Sequence, residues 1–235
     1  MIRLLYSTCI LMCVLASCTK GYRIKGTSSI SSIDGKTIAL MSSDGNEWHT
    51  IDSCEVLHGQ FQMRGKVDST LITTLFLDGV PVMPMILEPG TMDITISNIM
   101  FKVEGTPLND SLYNFIARKY RLDLEAIELE RMESQMIMNG YAQHVIEHRV
   151  DSAYNKLNEA MQTLVMDFIG GNFDNVLSLC GFSMLCNGLP FPIITPLIQS
   201  VLDEAPPAFH NHPSIKQFVN MANENMANHA IADMK

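Results

Sequence analysis

The apolar residues of this 235-residue chain change their spacing once, near Thr106, and this change constrains the fold more than any other feature. Between Tyr22 and about Val103 they alternate with polar residues over short runs, which is typical of strands with one buried face. After Pro107 they recur at steps of three and four residues, which is typical of amphipathic helices. The pattern therefore predicts an α+β protein, in which an N-terminal antiparallel β-sandwich or barrel-like domain is followed by an all-helical C-terminal region.

Seven or eight short strands are predicted in the first half. In the run 60–67, for example, Phe61 and Met63 alternate with polar residues, so one face is expected to be buried and the other wet. The clearest strands are 22–26, 37–41, 50–57, 60–67, 71–77, 83–87 and 92–96. The turns between them include Asp34-Gly35, Ser43-Asp44-Gly45-Asn46, His58-Gly59, Asp78-Gly79 and Glu88-Pro89-Gly90.

Two long helices and three shorter ones are predicted in the second half. Thr106-Pro107 offers a capping hydroxyl and a proline at the first helical position, and Asn139-Gly140 ends this helix. A second long helix is expected from about 141 to 169, closed by Gly170-Gly171 in the manner of a C-terminal cap and antiparallel to the first. The shorter helices are 174–186, Thr195-Pro196 to about 202, and His212-Pro213 to about 228.

The first seventeen residues are expected to be a secretory signal. Arg3 gives a positive start, and residues 4–15 form an apolar run that is shorter than the roughly 20 residues of a membrane-spanning helix. The run ends in Leu15-Ala16-Ser17-Cys18, which resembles the lipobox of bacterial lipoproteins, where the peptide is cut before a cysteine that receives lipid. An ordinary signal with a cysteine at this place by chance is the alternative. The expected domains are 1–17 (signal), 18–105 (β-domain) and 106–235 (helical region).

The chain is acidic, with 16 Lys and Arg against 25 Asp and Glu and a formal net charge of −9. Such a surface repels phosphate backbones, so nucleic acid is not expected as a partner. It also disfavours a polybasic grip on anionic lipid, which leaves membrane attachment to the acyl chains on Cys18.

Three cysteines follow Cys18, namely Cys54, Cys180 and Cys186. Cys180 and Cys186 lie about 9 Å apart along a predicted helix, beyond the roughly 7 Å Cα separation that a disulfide allows. All three are expected to be buried, inert thiols. A bridge from Cys54 to one of the others stays open in an oxidising compartment.

One run matches a catalytic pattern. His144-Val145-Ile146-Glu147-His148 fits the H-x-x-E-H pattern of inverted zinc peptidases, in which the histidines bind zinc and the glutamate activates water. Zinc needs a third protein ligand, but Glu159 lies about 16 Å further along the same helix, and Glu204 serves only if the fold delivers it. We interpret the run as a solvated helix face and expect no metal, cofactor or catalytic site.

Two further polar groups have structural interpretations. Asp52-Ser53 lies in a predicted strand, and no motif places a histidine to activate the serine. In the pair His210-Asn211-His212, the second histidine is expected to cap the helix that begins at Pro213.

Short motifs in the first half follow one another in a distinctive order. They are Ile24-Lys25-Gly26, Asp52-Ser53, Gly59-Gln60-Phe61, Arg64-Gly65, Leu87-Glu88-Pro89-Gly90 and Val103-Glu104-Gly105-Thr106-Pro107-Leu108-Asn109. In this order they resemble the domain of unknown function of type 4369, a β-rich N-terminal domain of envelope lipoproteins related to thiol–disulfide interchange and thiol-peroxidase proteins. The resemblance covers residues 22–114 well and the helices loosely. It implies that Asp52 and Ser53 are sheet positions.

The chain departs from that family at its C-terminal side. A thioredoxin-like domain usually closes those relatives, whereas residues 18–235 contain no Cys-x-x-Cys, and the only tryptophan, Trp48, lies in the β-domain. The redox half of those relatives is therefore expected to be missing.

These observations predict a non-enzymatic lipoprotein of a Gram-negative envelope, anchored through acylated Cys18 and acting as a binding or accessory module. Thr19, with no acidic cluster after it, resembles lipoproteins of the outer membrane that face the periplasm. The expected partners are the membrane, through the anchor, and an envelope protein or thioredoxin-like protein. The alternative is a part in thiol–disulfide exchange, either beside a separate thioredoxin-like partner or through Cys180 or Cys186, which would need an exposed thiol of low pKa.

Overall fold

The computed structural model describes residues 21–45 and 47–232, with side chains described up to Asn228. The chain divides into two compact units, a β unit that ends at Thr106 and a helical unit that begins at Pro107. Within the described part, no helix is long and apolar enough to cross a membrane.

The β unit contains two four-stranded sheets. Its strands are β1 (Gly21–Ser28), β2 (Thr37–Ser43), β3 (Trp48–Glu55), β4 (Gln60–Lys66), β5 (Leu71–Leu77), β6 (Val80–Leu87), β7 (Gly90–Ile96) and β8 (Phe101–Glu104). The first sheet has the order β4-β1-β7-β8 and the second has the order β3-β2-β5-β6. Two sheets rich in antiparallel pairs, followed by helices, confirm the predicted α+β fold class.

One strand pair departs from the antiparallel prediction. β1 and β7 run parallel, with Tyr22 opposite Gly90 and Ser28 opposite Ile96, and every other described pair is antiparallel. Alternation of apolar and polar residues reports which face of a strand is buried, but it carries no information about strand direction. The parallel pair therefore comes from the chain topology, not from the local pattern.

The core of the β unit follows the predicted alternation. On β1 every second residue from Tyr22 to Gly26 is buried, and on β4 Phe61 and Met63 are buried between exposed polar neighbours. The centres of both sheets are filled by side chains with essentially no exposure, namely Ile24, Ile38, Leu40, Leu75, Met85, Ile86, Met92 and Ile94. Because each buried aliphatic side chain contributes roughly 1.5–3 kcal/mol, this face stabilises the unit.

β1 and β4 are joined by two glycine–aromatic pairs, and each strand supplies the glycine of one pair and the aromatic ring of the other. Gly26 lies opposite Phe61, and Tyr22 lies opposite Gly65. A Cβ on Gly26 would lie 1.9 Å from the Phe61 ring, and a Cβ on Gly65 would lie 2.7 Å from the Tyr22 ring. Each aromatic ring therefore packs over the backbone of the glycine opposite it, which has no side chain. This packing explains why the motifs have glycine at positions 26 and 65.

The helical unit contains six helices in the described residues. They are α1 (Pro107–Met138), α2 (Gln143–Gly170), α3 (Leu177–Asn187), α4 (Pro196–Glu204), α5 (Pro207–His210) and α6 (Pro213–Ala232). α1 and α2 are antiparallel, because Met136 packs with Ile146 at the joint while Phe115 stacks on Phe168 at the far end. The predicted helix pair is thus confirmed. The short α5 was not predicted.

The helix ends test the predicted caps. Gly140, at φ +74°, ends α1 in a Schellman motif, in which the Tyr141 N–H donates to Met136 O and the Gly140 N–H donates to Ile137 O. Thr195 caps α4 by accepting from the Ile198 N–H at 3.2 Å, and His212 caps α6 by accepting from the Ser214 N–H at 3.3 Å. All three predicted ends are confirmed.

The Gly170-Gly171 cap is different from the prediction. Gly171 has φ −70°, so it does not adopt the left-handed conformation of a glycine cap. Instead, the Asn172 side chain donates to Phe168 O at 2.7 Å and so satisfies a carbonyl of the last turn. Gly171 is required by proximity, because a Cβ there would lie 2.8 Å from Asp167 O.

Candidate functional site

Cys18, the predicted lipidation residue, lies outside the described residues, and so does the whole predicted signal 1–17. The first described residue, Gly21, already belongs to β1. Only two residues therefore separate Cys18 from the β unit.

The three remaining cysteines are free thiols. Cys180 is buried, but Cys54 and Cys186 are only partly buried, which corrects the prediction that all three are fully buried. Desolvation by burial raises the pKa of Cys180 to about 11 and that of Cys186 to about 12, and it also raises the pKa of Cys54. The reactive thiolate is therefore disfavoured at all three positions at neutral pH.

The residues of the H-x-x-E-H pattern lie on the first turns of α2. His144, Glu147 and His148 are all exposed, and Glu147 accepts a hydrogen bond from the Gln143 side chain at 3.0 Å. Within the described ranges 21–45 and 47–232, no group of three or more His, Cys, Asp and Glu side chains is placed to hold a metal ion. The structure therefore brings no third ligand to the two histidines.

Asp52 has a structural partner. The Tyr22 hydroxyl on β1 donates to Asp52 Oδ2 on β3 at 2.9 Å, so this hydrogen bond joins the two sheets. The Ser53 backbone N–H donates to the other carboxylate oxygen at 2.8 Å. Burial and the neighbouring carboxylate raise the pKa of Tyr22 to about 12, which favours the neutral phenol that the bond needs.

A cleft in the helical unit is the strongest candidate for a binding site. Its first part is an apolar pocket of about 190 Å³ between α1, α2 and α3. Met161 and Val165 line it from α2, and Met184 and Leu185 line it from α3. Lys119 lies at its α1 side, where its ammonium group is held by Asp123 at 2.9 Å. Thioethers adapt to irregular apolar shapes, so the pocket suits a small aliphatic group.

A second, polar pocket of about 430 Å³ lies beside the first. Phe115 lines both pockets, and its ring stacks on Phe168 with centroids 4.0 Å apart. Asp110, Arg118 and Asp167 supply charged groups to the polar pocket. Two carboxylates against one guanidinium favour a polar or cationic group over an anion.

Sequence reasoning missed this cleft because its walls come from three helices. One local signal was available, since Gly181 interrupts an apolar helix. A Cβ on Gly181 would lie 2.9 Å from the Phe168 ring, so the glycine permits the close approach of α3 to α2. Taken together, the two pockets can accommodate an amphiphile, with an apolar part on one side of Phe115 and a polar part on the other.

Comparison with known proteins bears on the β unit. Residues 22–112 match the sequence model of a family described as Domain of unknown function (DUF4369). No curated protein is significantly similar to the chain. The matched residues comprise the described β unit from Tyr22 onward and the first turn of α1. The N-terminal part of this chain, residues 22–112, is therefore a domain of the DUF4369 type, as its motifs predicted.

Proposed function

We propose that this chain is an outer-membrane lipoprotein that faces the periplasm and acts as a non-enzymatic binding or accessory module for a small amphiphile. The observation that carries the location is Leu15-Ala16-Ser17-Cys18 after a short apolar run. The cleft of the helical unit supports the binding role, since an apolar and a polar pocket meet there at Phe115.

The anchor is tested by expressing the full chain in a Gram-negative host with an alkyne analogue of palmitate. We expect label on the wild type and on Cys54→Ala, and none on Cys18→Ala, because only a free Cys18 amine and thiol receive lipid. Mass spectrometry of the N-terminal peptide identifies the modified residue. An unmodified Cys18 in the mature protein would remove the proposal of anchoring.

The binding role is tested on the chain from Thr19 onward with the apolar dye 1-N-phenylnaphthylamine. Met184→Phe places a bulkier side chain in the apolar pocket and so reduces the space left for the dye. It should weaken dye binding at least about fivefold, since one methylene-sized misfit costs about 1 kcal/mol or more. The matched control is Met221→Phe on α6, whose side chain is exposed. Equal dye affinity in both variants would place binding elsewhere.

Direct thiol–disulfide chemistry is the less favoured candidate. The raised pKa values of Cys180 and Cys186 leave little thiolate at neutral pH, and a nucleophilic thiol needs the opposite shift. An accessory role beside a separate thioredoxin-like protein does not require Cys180 or Cys186 to be reactive. Co-purification of the full chain with such a protein from the native envelope would support that role.

A further inference from the structure

The outer face of the sheet β4-β1-β7-β8 carries a cluster of cations on two neighbouring strands. We define this basic face by its four residues, which are Arg23 and Lys25 on β1 and Arg64 and Lys66 on β4. All four are exposed, whereas Ile24 and Met63 of the same strands are buried. Because successive residues of a strand point to opposite faces of the sheet, the four cations share the side that faces solvent.

The strand register brings these cations together from distant parts of the chain. Arg23 on β1 lies directly opposite Arg64 on β4. Lys25 and Lys66 each lie two residues further along their own strand, so each is a diagonal neighbour of one arginine, at about 7–8 Å. Like charges directly opposite each other destabilise a sheet. The stability of the β unit therefore does not explain the arrangement.

Few acids share this side of the sheet. The outward positions of β1 and β4, which the structure describes in full, contain no acidic residue. Asp93 on β7 lies opposite Lys25, Lys102 on β8 pairs with Glu104, and Asp68 follows two residues beyond the end of β4. Within the described ranges, no cation of the basic face forms an ion pair. The net charge of −9 predicts no such surface, because a sum over the chain does not record which residues share a face.

The basic face begins at the end of the sheet that follows Cys18. Three peptide steps join Cys18 to Gly21, and at roughly 3.3–3.6 Å each they reach at most about 11 Å. Lys66 lies opposite Gly21. A lipid on Cys18 would therefore keep the surface of the bilayer close to these cations.

We propose that the basic face lies on the anionic headgroups of the bilayer that holds the lipid anchor, and that it orients the β unit on the membrane. The location rests on the anchor proposed above. Each lysine or arginine near an anionic lipid surface raises partitioning roughly fivefold, and the anchor supplies a high local concentration of headgroups. The Debye length is about 10 Å at 0.1 M salt, so acids on other faces of the protein repel the bilayer little.

Vesicle sedimentation tests the face separately from the anchor. The chain from Thr19 onward lacks Cys18 and contains every described residue, so its binding cannot come from acyl chains. The vesicles contain phosphatidylcholine with about 40% phosphatidylglycerol, in about 0.1 M NaCl. Four cations at roughly fivefold each predict half-binding at roughly millimolar accessible lipid. We expect no binding to pure phosphatidylcholine, and binding at least about tenfold weaker in about 0.5 M NaCl.

A pair of double variants tests the residues. Arg23→Gln with Lys66→Gln should weaken vesicle binding about 25-fold, because two of the four cations are removed. The matched control is Arg149→Gln with Lys156→Gln on α2, which removes the same residue types and the same charge from exposed positions and should stay within about twofold of the wild type. Circular dichroism confirms that both fold, and loss of Arg23 relieves its repulsion with Arg64.

Three outcomes would overturn the proposal. The first is equal weakening in the two double variants, which would make overall charge responsible. The second is equal binding to neutral and anionic vesicles. The third is no binding of the wild type to anionic vesicles at about 10 mM lipid, which would leave the basic face to an acidic protein. Absence of palmitate label on Cys18 would instead remove the anchor, and the vesicle result would stand without it.

Discussion

Two glycines of the first sheet are required by aromatic rings, because neither has an unusual backbone conformation. Gly26 and Gly65 lie under Phe61 and Tyr22, and an added methyl group would overlap each ring. Overpacking of this kind forces side chains out of their rotamers or shifts the strands. The effect belongs to single residues, since the strands on either side keep their alternation.

We predict that Gly26→Ala destabilises the β unit by about 3 kcal/mol, through the clash with Phe61. Urea unfolding followed by the fluorescence of Trp48, which lies in this unit against Phe76, measures the loss. Adding Phe61→Leu should recover part of it, so the double variant should be more stable than the sum of the two changes predicts. The control is Lys25→Gln, an exposed neighbour on the same strand, with an expected effect within about 0.5 kcal/mol. If the stability losses of the two single variants simply added in the double variant, the explanation that Gly26 is required by the Phe61 ring would be wrong.

Tyr22 joins the two sheets only as a neutral phenol. Its pKa is about 12 in the folded protein against an ordinary 10, so the folded state holds the proton more tightly than the unfolded state. The stabilisation is therefore complete below pH 10 and is lost as the pH rises from 10 to 12.

We predict that Tyr22→Phe costs about 1 kcal/mol at pH 8, where the bond to Asp52 is intact. The difference from the wild type should shrink above pH 10, because only the wild type loses this stabilisation. Urea unfolding at pH values between 8 and 11 measures it, with exposed Tyr120→Phe as the control. A difference that stays constant to pH 11 would show that the hydrogen bond does not contribute.

At the scale of elements, the end of α2 places two neighbouring glycines in opposite situations. Gly170 is the last helical residue, and outside the backbone of its own helix nothing lies within 4 Å of a Cβ placed there. Gly171 follows it with ordinary helical φ, but a Cβ there would meet Asp167 O at 2.8 Å. Backbone conformation permits alanine at both positions, and only the available space separates them.

We predict that Gly170→Ala stabilises the helical unit by up to about 1 kcal/mol, because alanine has less freedom to lose on folding. Gly171→Ala should instead destabilise it by about 1 kcal/mol or more, because the carbonyl must move. Far-ultraviolet circular dichroism during thermal unfolding compares the two variants. A shift of the same sign in both would contradict the argument from space.

β6 shows how composition indicates the position of a strand. It contains Pro81 and Pro84, which cannot donate to a neighbouring strand, and it lies at the edge of the sheet β3-β2-β5-β6. Prolines in an edge strand also oppose pairing with other chains. The sequence pattern began this strand at Met83, whereas the pairing of Leu77 with Val80 extends it to the turn.

At the scale of the whole molecule, the β unit contains Cys54 and the helical unit contains Cys180 and Cys186. Their reactivity therefore tests whether the chain takes a direct part in thiol–disulfide exchange. We predict that a maleimide at pH 8 labels Cys180 at least about 100-fold more slowly in the folded chain than in urea, because the side chain is buried and its pKa is raised. Cys54 and Cys186, which are partly buried, should fall between these limits. Peptide mass spectrometry assigns each rate, and Cys180→Ala identifies its peak. Rapid labelling of Cys180 or Cys186 in the native protein would favour a direct redox role.

The last strand of the β unit, β8, ends at the same end of its sheet as the start of the first strand, β1. β1 starts beside Gly90 of the parallel strand β7, and β8 runs back along β7 until Glu104 lies opposite Asp93. A Cβ on Gly90 would lie 3.0 Å from the Thr106 side chain. The chain therefore leaves the β unit at the end of the sheet where β1 begins.

The sequence by itself determined the features that depend on near neighbours. Alternation located the strands, the caps at Gly140, Thr195 and His212 located helix ends, and the ordered motifs identified the DUF4369-type domain. These succeed because backbone preference and side-chain periodicity act over a few residues.

The tertiary structure alone decided what depends on distant residues meeting. The parallel β1–β7 pair joins segments about seventy residues apart, and the cleft combines side chains from α1, α2 and α3. Even the reason for Gly26 lies in Phe61, thirty-five positions later. Such contacts come from the packing of the whole chain, which no local window contains, because the hydrophobic effect rewards burial without specifying a partner.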